Sequence, residues 1–290
     1  MQPPAPPPSA DDALLTTREV ASLLRVHEKH VYRLFRRGLP RHRFGGEWRY
    51  RRTEVLRWAA GDAPTPVAVA PPPLVASAGD VATDLLLAAV RTEGGPCLGA
   101  VPADSATALS LLRARRALAV GFHGAPAPAE VPEGRVVRLH LVRREVGLVG
   151  PRGRTPRVQD ALGGRLASRP PSAGVRATLD RALRGAGADP DTVHGAATVH
   201  ASHADVVCAV ARGDADVGVA THAWARRLGL AFAPLEVEDY GLLLLASELG
   251  RPEVVRLCEV AQRASLRTRL EGEAGYDARD VGAVRFAPDA

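Results

Sequence analysis

Residues 14–61, LLTTREVASLLRVHEKHVYRLFRRGLPRHRFGGEWRYRRTEVLRWAAG, carry two short helical patterns, a glycine-tipped hairpin and a third helical pattern in direct succession. Thr17 is the expected N-cap of a helix over Arg18–Leu24, because Val20, Leu23 and Leu24 follow at helical spacing. Arg25, Val26 and His27 form the turn. From Glu28 the apolar residues Val31, Leu34 and Phe35 recur at three- and four-residue steps and leave Lys29, His30, Tyr32, Arg33, Arg36 and Arg37 on the other face. Gly38-Leu39-Pro40 stops this second helix, and Arg43 to Tyr50 reads as a hairpin with Gly45-Gly46 at its tip. Thr53 is the expected cap of a last helix through Val55, Leu56 and Trp58, whose apolar face closes a small core against Val20, Leu24, Val31 and Leu34.

Charge points the same way. The stretch holds twelve Arg and Lys against four Glu, a net +8, while the whole chain is only +6. With Asp11 and Asp12 counted, residues 62–290 are neutral, so the basicity belongs to this module alone. A localised cationic excess is the footprint of phosphate contact and counterion release, and the second helix is the recognition candidate for double-stranded DNA. The residues expected at the DNA are Thr17, Arg18, Glu28, Lys29, His30, Tyr32 and Arg33, with Arg43, Trp48 and Arg49 from the hairpin. The bland alternative is a solvated basic face on a small domain that binds protein.

Met1 to Ala10 is proline-rich with neither an apolar core nor a basic start, so residues 1–13 are expected to be a disordered tail rather than a signal peptide. No stretch approaches the roughly 18 uninterrupted apolar residues of a membrane span, and a soluble, cytoplasmic protein is expected. Cys97, Cys208 and Cys258 are odd in number, widely spaced and set among apolar residues, as buried thiols in a reducing compartment would be. Residues 62–73, DAPTPVAVAPPP, form a Pro/Ala-rich linker between two domains.

From Leu74 onward short apolar runs alternate with helical patterns, which argues for an α/β domain of parallel strands covered by helices. Strands are expected near Leu74–Ser77, Cys97–Val101, Leu118–His123, Val136–Val142, Arg165–Ala167, Val217–Ala220, Ala231–Leu235 and Leu242–Ala246. Helices are expected over Asp80–Arg91, Asp104–Arg113, Gly174–Arg184, His203–Arg212, His222–Leu228 and Glu253–Ala264. No nucleophile elbow, Walker loop or paired catalytic motif is present, so the residues do not point to an enzyme. His194, His200 and His203 lie near Cys208 but lack a second pair of ligands at metal spacing, so no metal or cofactor is expected.

The first module, through Leu15 to Ala21, Val26, Val31-Tyr32, Gly38-Leu39-Pro40, Gly45, Trp48-Arg49-Tyr50 and Trp58, resembles the excisionase and MerR-type winged helix-turn-helix family. The second domain resembles the two-lobed type II periplasmic-binding-protein-like fold, in the variant similar to molybdate and tungstate binding proteins. The blocks that carry this are Ser77-Ala78-Gly79-Asp80, Asp104-Ser105, Val120 to His123, Val142 to Leu148, Ser168 to Arg176, Ser202-His203, Val210 to Gly218 and Asp239-Tyr240. The resemblance implies one lobe from about Leu74 to His140 plus the segment after Glu238, a second from about Arg144 to Val237, and a ligand between them.

Within that frame Ser77, Gly79, Asp80, Ser105, Ala173, Gly174 and Val175 lie where strands hand over to helices, whose free amides suit an anion. Arg169, Ser172, Arg176, Ser202 and His203 are further candidates for the cleft, and Tyr240 stands at the lobe crossover. Arg144, Arg169 and Arg176 either meet an acidic ligand or form ion pairs with Glu145 and Asp180. Where the family block reads Gly-Ser-Gly-Thr-Arg, this chain has Ser172-Ala173-Gly174-Val175-Arg176, which leaves the ligand class open. The implied protein is a one-component transcription regulator, a homodimer on an inverted repeat, that senses a bound oxyanion such as molybdate or tungstate. A small organic ligand related to molybdopterin, and a ligand-free DNA-binding scaffold or recombination accessory factor, are the competing readings.

Overall fold

Thr16, not Thr17, starts the first helix. Its hydroxyl accepts the Glu19 amide at 3.3 Å while the Glu19 carboxylate accepts the Thr16 amide at 2.7 Å, a reciprocal capping box that Thr17, followed three residues later by Val20, cannot make. The computed structural model describes residues 14–44, 47–60, 70–124, 130–131 and 134–286. The expected tail, the hairpin tip and residues 62–69 of the expected linker lie outside the described residues.

Strand β1 (Leu14–Leu15) leads into α1 (Thr17–Leu23) and α2 (Glu28–Leu34). Gly38, at φ 83°, ends the turn that follows α2 in the left-handed region, where a side chain would be strained. Strands β2 (His42–Phe44) and β3 (Glu47–Arg51) pair antiparallel, and β1 adds to the other edge of β3. Helix α3 (Arg52–Ala59) then begins directly from β3, with Arg51 rather than Thr53 at the cap position and no side-chain cap. Val20, Val31, Leu34, Tyr50 and Val55 are buried together, and the Tyr50 hydroxyl lies 3.3 Å from the Thr17 hydroxyl.

The second unit begins at Ala70. Its first lobe opens with β4 (Leu74–Ser77), α4 (Val81–Thr92), β5 (Gly99–Pro102), α5 (Ser105–Arg113) and β6 (Ala119–His123). After β7 (Glu130–Val131), β8 (Gly134–Gly150) carries the chain into the second lobe. That lobe holds α6 (Asp160–Gly163), β9 (Leu166–Ser168), α7 (Gly174–Gly185), α8 (Pro190–Gly195), β10 (Thr198–Val199), α9 (His203–Arg212), β11 (Val217–Thr221) and α10 (His222–Arg227). The return strand β12 (Ala231–Leu245) brings the chain back to α11 (Pro252–Ala261), α12 (Ala264–Glu271), β13 (Tyr276–Asp277) and β14 (Val284–Phe286).

The strands form one sheet in the order β10-β9-β11-β8-β12-β6-β4-β5, with β7, β13 and β14 also pairing to β8. Each lobe is parallel within itself, β5-β4-β6 and β10-β9-β11, but β8 and β12 join them antiparallel. The expected all-parallel sheet is therefore a mixed one. Two other expectations fail for the same reason. Val136–Val142 is only the first part of a 17-residue strand, and Ala231–Leu235 and Leu242–Ala246 belong to one 15-residue strand. The intervening Arg143-Arg144-Glu145 and Glu236 to Asp239 broke the apolar pattern because they sit where the chain crosses between lobes and pair with each other.

Helices α4, α11 and α12 cover one face of the first lobe through Leu86, Leu257 and Leu266, and α5 covers the other through Ala108 and Leu112. In the second lobe α7 packs through Val175, Leu179 and Leu183, and α9 and α10 pack on the opposite face. The single helix expected over Glu253–Ala264 is two, since Arg263 is extended between them. Cys97 is exposed rather than buried, and Cys208 and Cys258 are partly covered; all three are free thiols.

The register of β8 against β12 shifts between Pro234 and Glu236 and again between Tyr240 and Gly241. A Cβ on Gly241 would run into the Leu139 carbonyl and the His140 backbone, which cannot yield as a side chain would. Gly241→Ala should therefore cost about 1–3 kcal/mol of domain stability, seen as a lower urea midpoint; an unchanged midpoint would show that the crossing has slack.

Candidate functional site

The first unit presents a polar hollow of about 420 Å³ where the starts of α1 and α2 meet β3, lined by Thr16, Thr17, Arg18, Glu28, Tyr32, Glu47, Trp48 and Arg49. Lys29, His30 and Arg33 are exposed along α2, and Tyr32 keeps 52% of its surface in solvent because only Val31 and Leu34 of that helix turn inward. Arg43 stands opposite Trp48 in the hairpin register. All the residues expected at the DNA thus lie on α1, α2 or the hairpin of one small unit. Arg49 is steadied by Glu47 at 2.7 Å and by the Trp48 carbonyl. Arg41, passed over as a contact residue, stacks its guanidinium 3.9 Å from the Phe35 ring centroid and 4.6 Å from that of Trp48, and so supports the hairpin on α2.

In the second unit four helices begin at the cleft between the lobes, and their caps differ. Asp80 accepts the Ala82 amide at 2.8 Å and caps α4; Asp104 accepts the Ala106 and Thr107 amides and caps α5; Ser202 forms a capping box with Asp205 on α9. Helix α7 has Ala173 at its cap position and no side-chain cap, and the Gly174 and Val175 amides have no partner among the described residues. Twelve residues long, α7 aims an uncompensated positive dipole end into the cleft.

The lobes meet closely there. Gly174 lies so near the His123 ring that a Cβ would overlap it, and the Trp224 indole donates to the Gly79 carbonyl at 2.7 Å from across the cleft. The remaining cavity is about 10 Å³, lined by Ala78, Asp104, Ser105, Gly121, His123 and Tyr240 from the first lobe, Ala173, Gly174, Val175, Arg169 and His203 from the second, and Arg144 at the crossing. That is room for about one water-sized centre.

Two buried arginines border this cavity in opposite circumstances. Arg144 is saturated: its Nε and NH2 donate to Glu238 at 2.9 and 2.6 Å, and NH1 donates to Asp80. Asp80 also accepts the Tyr276 hydroxyl at 2.8 Å, and Glu238 holds His123 Nδ1 at 2.8 Å. Burial pushes the Glu238 pKa up, but Arg144 and His123 outweigh it and hold the carboxyl down to about 2. Arg169 is 0% exposed, yet Nε, NH1 and NH2 all lack a partner among the described residues. Burial pushes its pKa down to about 10, against the more distant Asp104 and Asp205 carboxylates, so it is still charged at neutral pH. His203, also buried with Nδ1 unpartnered, faces it.

Of the residues expected to hold ligand, the cavity gathers Ser105, Arg169, Ala173, Gly174, Val175, His203 and Tyr240. The others lie elsewhere in the chemistry of the fold. Ser77 is buried and accepts the Gly79 amide at 3.4 Å; Asp80 and Ser202 are occupied as caps; Ser172 is exposed and hydrogen-bonded to Asp104. Arg176 is committed to Asp180 at 3.4 Å and to the Arg169 carbonyl at 3.2 Å. The Tyr240 hydroxyl lies 2.7 Å from that of Thr83. Arg144 pairs with Asp80 and Glu238 instead of the expected Glu145, which bonds His222, because strand alternation sends neighbours 144 and 145 to opposite faces. His123 is not among the expected site residues, yet it ends β6 at the cleft; a polar residue closing an apolar strand was the signal available. His194 is held between Ser168 and Asp180, away from His203.

Burial, then Arg169, Arg144 and His123, lower the His203 pKa well below its ordinary 6.5. His140 and His194 are lowered too, chiefly by burial. The folded chain resists protonation of these rings, His203 most of all, while the unfolded chain takes up protons as pH falls through 6.5. Their contribution is intact above that value and is lost progressively below it. His203→Gln should reduce the drop in urea midpoint between about pH 7.5 and pH 5; equal drops in the two proteins would show that His203 is not held neutral by the fold.

Residues 14–62 match the model of a helix-turn-helix domain, and residues 89–262 match that of the PBP (periplasmic-binding-protein) superfamily domain. An uncharacterized Clostridium pasteurianum protein encoded 5′ of a 2Fe-2S ferredoxin gene is 29% identical over 107 residues, 37% of this chain and 95% of that protein. Among solved structures, a periplasmic transporter aligns with a TM-score of 0.53 at 10% identity over 72% of this chain and 88% of its own. The regulatory domain of a LysR family regulator from N. meningitidis aligns at 0.49 and 13% identity, over 71% of this chain and 97% of its own. At 10% identity the likeness to the transporter is one of fold alone. The chain belongs to the PBP superfamily, with its two-lobed domain following an N-terminal helix-turn-helix domain.

Proposed function

We propose that this protein is a one-component, cytoplasmic transcription regulator whose winged helix-turn-helix binds operator DNA and whose two-lobed domain senses a compact anion, with molybdate and tungstate as the first oxyanions to consider. The observation that carries the reading is Arg169, a fully buried, charged guanidinium without a partner among the described residues, beside the uncapped start of α7. Burying an unpaired charge is costly, whereas an anion between Arg169 and the Gly174 and Val175 amides satisfies both at once. A tetrahedral oxyanion has further oxygens for the Ser105 hydroxyl and His203. A cavity of about 10 Å³ favours such an ion over a pterin-sized ligand, which would need the lobes to part. One winged module spans a half-site, so the proposal includes two copies on an inverted repeat.

Molybdate, tungstate, sulfate, phosphate, acetate and succinate, tested singly, should include at least one ion that raises the melting temperature of the full chain. Arg169→Met should weaken that ion about tenfold or more, the worth of charge-assisted hydrogen bonds. A panel without any shift would remove the anion reading and favour a ligand-free scaffold.

At the DNA, Arg33→Ala should cost about 1–3 kcal/mol and relax sequence preference at one position, as loss of a bidentate base contact does. Arg49→Ala should instead weaken all sequences alike and lower the salt slope by about one, as loss of a phosphate contact does. Salt titrations of binding to specific and random duplexes separate the two; matching profiles would contradict this division of labour.

A further inference from the structure

The two cleft arginines make closing the lobes an electrostatic event. Arg144 brings its counterions with it, since Asp80 and Glu238 bind it whatever enters the cleft. Arg169 has none among the described residues. The acidic groups whose field reaches it are Asp104 and Asp205. Asp104 is engaged by the Ala106 and Thr107 amides, and Asp205 by the Ser202 amide and hydroxyl. In the closed arrangement Arg169 is fully buried, Trp224 bonds Gly79 and Gly174 abuts His123, so water has little room to serve as its solvent.

We propose that Arg169 gates lobe closure: its unpaired charge keeps the lobes apart until a compact anion lodges between it and the start of α7. The ligand then acts as the missing counterion, and its charge rather than its contact area drives the closing. This rests on the anion-sensor reading for the identity of the trigger, but the gate itself is a property of the protein. With the charge removed, the same apolar and hydrogen-bonding contacts close the cleft unaided. The anion's leverage on the open-closed balance equals its preference for the closed form, so a neutral residue at position 169 mimics the liganded state.

The Gly174 and Val175 amides report the transition directly, because they have no hydrogen-bond partner among the described residues and Gly174 lies against His123 of the opposing lobe. Hydrogen exchange of the full chain, followed by mass spectrometry on peptides spanning residues 170–177, would be measured in Tris chloride and again with sodium molybdate or sodium phosphate. Wild type should exchange fast in chloride and at least about tenfold more slowly with an effective oxyanion. Arg169→Met should be slow already, within about twofold of oxyanion-loaded wild type, and should not respond further. Arg169→Gln is a second neutral variant should the first fail to fold, and Arg169→Lys should follow wild type. Arg169→Met combined with Gly174→Ala, whose added Cβ wedges against His123, should be fast again, which ties the protection to closure.

Arg169→Met or Arg169→Gln exchanging as fast as chloride-equilibrated wild type, or wild type slow in chloride alone, would overturn the gate. If oxyanions stabilise wild type while the neutral variants stay fast, the gate falls and the anion reading stands. If no oxyanion affects wild type yet the neutral variants are slow, the gate stands and the trigger is of another class.

Discussion

Arg144 sits at the middle of β8, held by Glu238 from β12 and by Asp80 from the start of α4, and this buried ion cluster is the constraint on which the second unit is built. An ionised arginine at 1% exposure persists only if its donors are met, and meeting them fixes three separate pieces of chain. It sets the register of the two crossing strands, orients the first helix of the first lobe, and through Glu238 positions His123 at the cleft. The Tyr276 hydroxyl adds the C-terminal β13 to the same cluster. Removing one partner would leave the others buried without compensation.

That rigidity at the crossing contrasts with the cleft beside it. Three of the four helices that begin there have their dipole ends met by Asp80, Asp104 and Ser202, whereas α7 begins with Ala173 and Gly174. Small residues in that position serve two ends. They let the second lobe approach His123, and they leave two amides and Arg169 to whatever occupies the space. A side chain that capped α7 would stabilise the helix and fill the site.

Much of this was legible in the sequence. The apolar spacing of Val20, Val31 and Leu34 and the charge of the first module pointed to a helix-turn-helix, although Thr17 drew the cap one residue too far and the Thr16-x-x-Glu19 box beside it went unread. In the second unit the helix starts at Asp80, Asp104 and His203 stood out because cap residues and apolar periodicity agreed, and the one at Gly174 by periodicity alone. The long strands did not, because their charged middles pair with residues about a hundred positions away, which no local pattern records. The same blindness applies to Arg169 and Arg176. They are alike in sequence, but Arg176 is committed to Asp180 and Arg169 has no partner among the described residues, and only the fold distinguishes them.

The crossing itself has a mechanical meaning. The lobes are joined by two neighbouring strands of one continuous sheet, hydrogen-bonded along their length, not by loops. Such a junction behaves as a leaf spring rather than a pin: the sheet twists, stores elastic energy, and returns when released. The register shifts near Pro234 and Tyr240 bracket the segment between Glu236 and Tyr240, so the twist concentrates there instead of spreading into either lobe. Parting the lobes then means twisting this short segment against its own strand pairing.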